Sequence, residues 1–343
     1  MIKIALFCLV SFTLLFSEDD LSSLLNEYES QSALHHKTKD ESAGHLIVFS
    51  RNDLDKMQAH VLKDILKSTR FFNLQEGVKG NVALQRAGAS CANSGCIRVY
   101  INDHEMSSAV NGSALEIIAE YDLGHVDHVE VYLGGSAIKF GNEYGFVTIK
   151  IYTKDPKREN GGFVATSYGS RGSHSLEAFH TGVSENALEY LLYAKKKYDD
   201  KGEISNQGYS VPRYSDNINI YANIKKEDDY ILELSSYMTD HDALAGVGIQ
   251  KTPELSEVYS DYKYISFSKY IDGLKIQASY SQEQNGVHSK DPNGIKLNDG
   301  SIVNELDVEF ENSLAKLSVE NVHKLDDLNI LYGISYQQKK ADS

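Results

Sequence analysis

"HVDHVEVYLGGSAIKFGNEYGFVTIKIYTKD", residues His125 to Asp155, is the stretch on which the reading of the fold turns. It reads as a strand, a glycine turn and a second strand, with Val129 and Val131 in the first run and Phe146, Thr148 and Ile149 in the second. Gly134, Gly135, Gly141 and Gly145 stand between them. Glycines let a chain fold back tightly at positive φ, where a β-carbon is penalised. Nothing in the stretch has a catalytic look, so its purpose depends on the compartment and on the segments around it.

Residues Met1 to Ser17, "MIKIALFCLVSFTLLFS", put Lys3 ahead of a short apolar core, and polar "SEDD" follows. This is the layout of a secretory signal peptide. A spanning helix needs roughly 20 apolar residues, so the competing reading, an uncleaved anchor, has too little length. Cys8 lies inside the apolar core rather than at a cleavage point, which argues against a lipoprotein. No other stretch is continuously apolar over a helix-spanning length. Any entry into a membrane would therefore be as a closed barrel, because only helices and barrels satisfy backbone groups in lipid. An exported chain meets an oxidising compartment, so Cys91 and Cys96 are expected to form a disulfide around Ala92, Asn93, Ser94 and Gly95. A lone pair without histidine at metal spacing makes a poor zinc site. The formal net charge of -15, from 49 acidic and 34 basic residues, speaks against nucleic acid, which needs a basic face. The 22 tyrosines, with no tryptophan and 4 prolines, suit exposed β-structure at a wet boundary.

Glu18 to Gly44 is polar and reads as a mobile extension. From there "HLIVFS" (His45 to Ser50) suggests a strand, and Asn52 or Asp53 would cap a helix carrying Leu54, Met57, Val61, Leu62, Ile65 and Leu66 on one stripe. Gly77 and Gly80 interrupt the pattern. "CIRVYIND" (Cys96 to Asp103) is a strand with an Asn-Asp turn, and "NGSALEIIAEY" (Asn111 to Tyr121) a second helix. With the opening stretch this makes an α+β unit of roughly 110 residues, enough for its own core.

Past Gly161 the helical periodicity fades. Ile218, Ile220, Ala222 and Ile224 alternate with Asn217, Asn219, Tyr221 and Asn223. Leu274, Ile276, Ala278 and Tyr280 alternate with Lys275, Gln277 and Ser279. Leu306, Val308 and Phe310 alternate with Asp307, Glu309 and Glu311, and Leu328, Ile330, Tyr332, Ile334 and Tyr336 share a face. Repeated period-two segments joined by Asp, Asn and Gly turns are the signature of an antiparallel membrane barrel. A soluble β-sandwich with one wet face competes on pattern alone; the export signal and the preceding unit favour the barrel. Short charged turns at Lys225 to Asp229 and Tyr270 to Gly273 suit a periplasmic side, and the longer polar stretches Asp199 to Ser215 and Gln282 to Ser301 an outer one.

Residues from about His45 to Lys154 resemble the plug domain of TonB-dependent outer-membrane receptors. "LKDIL" (Leu62 to Leu66) resembles the family's Leu-x-Asp-x-Leu, and in "IRVYINDHEM" Asn102, Asp103 and His104 stand where the family usually turns. In the opening stretch Glu130, Gly134, Ser136, Phe140, Gly141, Ile149, Thr153 and Lys154 occupy matching places. The resemblance implies an α+β plug domain followed by antiparallel transmembrane β-barrel strands. The expected divisions are a signal peptide over 1–17, a flexible extension over 18–44, the plug over 45–158 and a partial outer-membrane barrel over 159–343. Family barrels are similar to 22 strands around the plug. About nine or ten strands fit after Asn160, so the chain reads as an amino-terminal part of a longer receptor. The family also carries a short extended segment that pairs with TonB, then a separate plug strand. Only "HLIVFS" is found here, so either it serves one role or the coupling segment lies within Glu18 to Gly44.

What the resemblance implies for function is uptake across the outer membrane of a Gram-negative bacterium, by a monomer with no cofactor and no catalytic residues. TonB with ExbB and ExbD would supply the energy, and the cargo would be a scarce nutrient such as a ferric siderophore or another metal chelate. Candidate substrate contacts are the loop from Cys91 to Cys96, whose other reading is a structural staple, and His104, whose other reading is an exposed loop histidine. Glu130 and Lys154 could pair with charges on the barrel wall or remain solvated. A metal site at His125 and His128, which stand at i and i+3, would need further ligands. A non-transporting surface receptor on the same fold, or a degenerate receptor fragment, is the alternative. A soluble enzyme is disfavoured by the lack of a nucleophile elbow, an H-E-x-x-H pair or a phosphate loop.

Overall fold

The computed structural model describes residues 45–69, 73–76, 82–86, 89–90, 97–106, 118–133, 147–206, 209–243, 255–325 and 328–342. The expected signal peptide and extension, the Cys91 to Cys96 loop, and Gly134, Gly135, Gly141 and Gly145 lie outside these residues.

The amino-terminal unit is built on five strands: β1 (His45–Phe49), β5 (Ile97–Ile101), β6 (His104–Met106), β7 (Val126–Leu133) and β8 (Val147–Thr153). Their order is β1-β7-β8-β5-β6, antiparallel except for the parallel β5–β8 pair. The two runs flanking the glycine turn are β7 and β8, in direct register, with Glu130 opposite Lys150 and Val131 opposite Ile149. "HLIVFS" supplies β1, an edge strand of this sheet, and so takes the sheet-forming role. A smaller sheet of β2 (Asn73–Glu76), β3 (Val82–Arg86) and β4 (Ala89–Ser90) stands apart from it.

The single helix expected over this region is two short ones, α1 (Arg51–Lys56) and α2 (Leu62–Ser68). Ser50, not Asn52 or Asp53, is the cap: the Asp53 amide donates to its hydroxyl at 3.2 Å and the Asp53 carboxylate accepts from the Ser50 amide at 3.0 Å. The break has a tertiary cause. Gln58 takes φ 52°, and the chain then runs extended so that Leu62 donates to the Tyr121 carbonyl and Leu123 to that of His60. Those bonds outweigh a helical periodicity that runs unbroken in the sequence. Leu54, Leu62, Ile65 and Leu66 still share one buried stripe, in one core with Val99, Ile101, Val129, Val131, Ile149 and Ile151. The opposite sheet face carries Arg98, Glu105, Glu130 and Lys150, also buried, with Arg98 and Glu105 joined by bonds of 2.9 and 2.6 Å.

The rest of the described chain is one antiparallel sheet of nine strands: β9 (Gly161–Tyr168), β10 (His174–Val183), β11 (Leu188–Asn206), β12 (Tyr209–Lys226), β13 (Tyr230–Asp242), β14 (Leu255–Ile271), β15 (Leu274–Lys296), β16 (Ile302–Leu325) and β17 (Leu328–Asp342). Each pairs with its chain neighbour, and β9 and β17 are the open edges among the described residues. This sheet is the wall against which the amino-terminal unit packs. Alternation separates its faces. Ile220 is 48% exposed, while Asn219 and Tyr221 beside it are buried under the unit. Leu192, Leu234, Ile265, Phe267, Tyr280, Leu317, Ile334 and Tyr336 extend the outward apolar band. The Leu306 to Phe310 alternation points the other way. Unbroken register places Phe310 opposite Asn285 and Asn312 opposite the buried Glu283, so its apolar residues face inward and Asp307, Glu309 and Glu311 outward.

The turns at 227–229 and 272–273 are tight, and Gly273 at φ 83° occupies a conformation that favours glycine. The crossing from β8 to β9 lies at this same end: Lys225 is 3.5 Å from Asp155, and Lys157 is 2.6 Å from Glu227. The long strands β15 and β16, of 23 and 24 residues, run well past the apolar band at the other end.

Candidate functional site

The densest chemistry lies in the seam between the unit and the wall. Asn219, Tyr221 and Asn223 of β12, Glu233, Ser235 and Tyr237 of β13, and Tyr262 and Tyr264 of β14 share the inward parity. The polar halves of the alternating segments thus become a wall of phenols, amides and carboxylates, and five of its tyrosines (Tyr193, Tyr221, Tyr237, Tyr262, Tyr264) are buried.

Three parts of the unit meet this wall. The first is the β5–β6 turn, where Asn102 has φ 48°. Its Nδ2 donates to the Tyr221 hydroxyl at 3.0 Å and to the Glu233 carboxylate. Its Oδ1 accepts from the Thr153 amide at 3.2 Å, which ties the turn to the end of β8. Glu233 also accepts from Tyr221 at 2.7 Å and from Asn223 at 3.2 Å, so one buried carboxylate gathers three donors. The next residue, Asp103, pairs with Lys275 of β15.

The second is His104. It is 2% exposed, stacked on Tyr264 at 3.8 Å between centroids, with Nε2 3.2 Å from the Tyr262 hydroxyl. The structure therefore places it inside the seam rather than on an exposed loop. The third is the stretch from Tyr121 to His125. His125 stacks on Tyr193 at 4.4 Å and Tyr221 at 4.9 Å, and its Nε2 is 3.1 Å from the Tyr121 hydroxyl. Asp122 pairs with Lys195 of β11 at 2.8 Å. Gly124 permits this approach, because a Cβ there would stand 2.0 Å from the Glu177 carboxylate and 2.9 Å from the Tyr193 hydroxyl.

Of the charges considered in the sequence, Glu130 stays within the unit, accepting from Tyr132 at 2.6 Å. Lys154 pairs with Glu159 at 2.8 Å and lies 5.0 Å from the centre of the Phe179 ring of β10, so it meets the wall through a ring. His128 sits beside Asp127 at 2.7 Å. The seam residues on the wall side, Glu233, Lys195 and the tyrosines, escaped the sequence reading. Their signal was present in the inward parity of Tyr221 among Asn217, Asn219 and Asn223.

Burial pushes His104 and His125 down to about 3, with Lys316 adding to the effect at His104 and Lys154 at His125. Both are neutral at physiological pH. A base whose folded value is depressed gives stability that is complete above its unfolded value, near 6.5, and lost as pH falls toward 3. Seating of the unit is therefore expected to weaken on acidification, by about 2 kcal/mol per histidine at pH 5. Urea titrations at pH 7.5 and 5, read by the fluorescence of the buried tyrosines, check this. The double variant His104→Gln with His125→Gln should flatten the pH dependence.

No family model and no curated protein matches the sequence. Solved structures do match. The ferric yersiniabactin uptake receptor FyuA of Yersinia pestis superposes with a TM-score of 0.60 at 12% identity, covering 88% of this chain and 50% of that one. The ferric enterobactin receptor PfeA of Pseudomonas aeruginosa gives 0.61 at 12% identity, covering 89% and 50%. The FrpB iron transporter of Neisseria meningitidis gives 0.60 at 15%, covering 86% and 48%. These are TonB-dependent outer-membrane receptors. The fold is theirs: a plug seated against the inner face of a barrel wall, with the barrel partial in this chain. The chain spans about half the length of the receptors it matches.

Proposed function

We propose that the protein is an outer-membrane receptor for TonB-dependent uptake of a scarce nutrient, a ferric siderophore or other metal chelate, in which the plug gates the barrel. The observation that carries this reading is the plug held on the inward wall face by polar contacts at Asn102, Asp103, His104 and Asp122, the last two of them buried. A unit held by a dry apolar core would not be built to part. A seam of hydrogen bonds and ion pairs can exchange its partners for water, since each such contact has a small net value. The likeness to iron and siderophore receptors supports the cargo class, and the outward apolar band supports a lipid setting. TonB with ExbB and ExbD would act through the amino-terminal segment.

The test is accumulation of radioactive iron, supplied as a panel of ferric siderophores, by cells expressing the intact protein. Uptake present with TonB and absent without it is the expected result. Binding without TonB-dependent accumulation would support a non-transporting surface receptor. The lipid setting has its own check. Ile220→Arg on the outward face is expected to cost about 2–4 kcal/mol of folding stability in bilayers, as for a cation at the lipid midplane. Ile220→Leu should cost less than about 1.5 kcal/mol.

A further inference from the structure

Lys195 of β11 has a carboxylate on either side. Its Nζ is 2.8 Å from Asp122 of the plug and 3.6 Å from Glu177 of the wall. Asp122 is buried, and the Lys195 and Glu177 side chains, 9% and 19% exposed, are partly covered beside it. Glu177 and Lys195 are direct cross-strand partners on β10 and β11, and their pairing needs nothing from the plug. Tyr193 donates to the Glu177 carboxylate at 3.0 Å and keeps it aimed at the seam.

A plug that moves must leave this ammonium behind on a newly wetted wall, where a cross-strand carboxylate still favours it. We propose that Lys195 is handed between two carboxylates: Asp122 holds it while the plug is seated, and Glu177 takes it as the plug moves away. The proposal rests on reading the plug as a gate. Rotation of the lysine side chain closes the 3.6 Å gap. An asymmetry follows. Removing the Asp122 carboxylate weakens the seated state only. Removing the Glu177 carboxylate chiefly weakens the open state, where Lys195 would have no other ion-pair partner among the described residues. A purely structural cluster would loosen with either change.

Ser235 of β13, buried on the inward face beside Tyr121, provides the readout. Ser235→Cys in the intact protein, with the native cysteines blocked, is labelled by a maleimide in cells, with no ligand and no TonB. Relative to this parent, D122N is expected to speed labelling about tenfold and E177Q to slow it several-fold. E177D, which keeps the charge, should return the rate to near the parent's. E177Q labelling as fast as the parent or faster overturns the handoff. The measurement does not involve transport, so absence of iron uptake with opposite-sign labelling effects would remove the transport reading and leave the handoff standing.

Discussion

Glu233→Ala is expected to unseat the plug, raising the labelling rate of a cysteine at Ser235 roughly a hundredfold, the equivalent of about 3 kcal/mol. The carboxylate accepts from Asn102, Tyr221 and Asn223, two of them on the wall and one on the plug. Alanine strands all three donors in a site only 4% exposed. Each buried donor left without an acceptor costs about 1–3 kcal/mol, and the relief of desolvating one carboxylate offsets part of that. Asn102 also holds the Thr153 amide, so the loss reaches the end of β8. Glu233→Gln keeps one carbonyl acceptor and should stay within about tenfold of the parent. A Glu233→Ala protein that labels no faster than the parent would show that the seam is held elsewhere.

Ile149→Ala is expected to have an effect of similar size by another route. Ile149 is fully buried at the centre of the plug sheet, opposite Val131 and paired in parallel with Val99. Truncating such a side chain costs about 2–5 kcal/mol, since the lost transfer energy is joined by the cavity left behind. The change should lower the midpoint of plug unfolding in urea while leaving the β-sheet circular dichroism of the wall intact. The nine-stranded wall has its own register and shares no strand with the plug sheet. Loss of wall and plug in a single transition would mean that neither unit holds without the other.

Much of this architecture was legible in the sequence because its signals are local. The runs around the glycine turn became β7 and β8, and alternation at Ile218 to Ile224 and Leu274 to Tyr280 gave the faces of β12 and β15. The helix over Asp53 to Ser68 was misread because its stripe is continuous, whereas the break at Gln58 is imposed by backbone bonds from Leu62 and Leu123, distant in sequence or in fold. Leu306 to Phe310 shows a second limit. Period two reveals that a strand has two faces, but only register against a neighbour says which one is inward. The seam was least legible of all. Its contacts join residues more than a hundred positions apart, as Asn102 with Tyr221 and His104 with Tyr262, and no local pattern marks such a pair.

A reversible tether across the seam tests most directly whether the plug is a gate. Cysteines at Asp103 and Lys275, whose side chains touch across the seam and are partly exposed, can be joined by a short cleavable crosslinker in the intact protein. The expected result is TonB-dependent iron accumulation that stops when the tether forms and returns when it is cleaved. Uptake continuing at the same rate with the tether closed would contradict a gate that must part from the wall at this point.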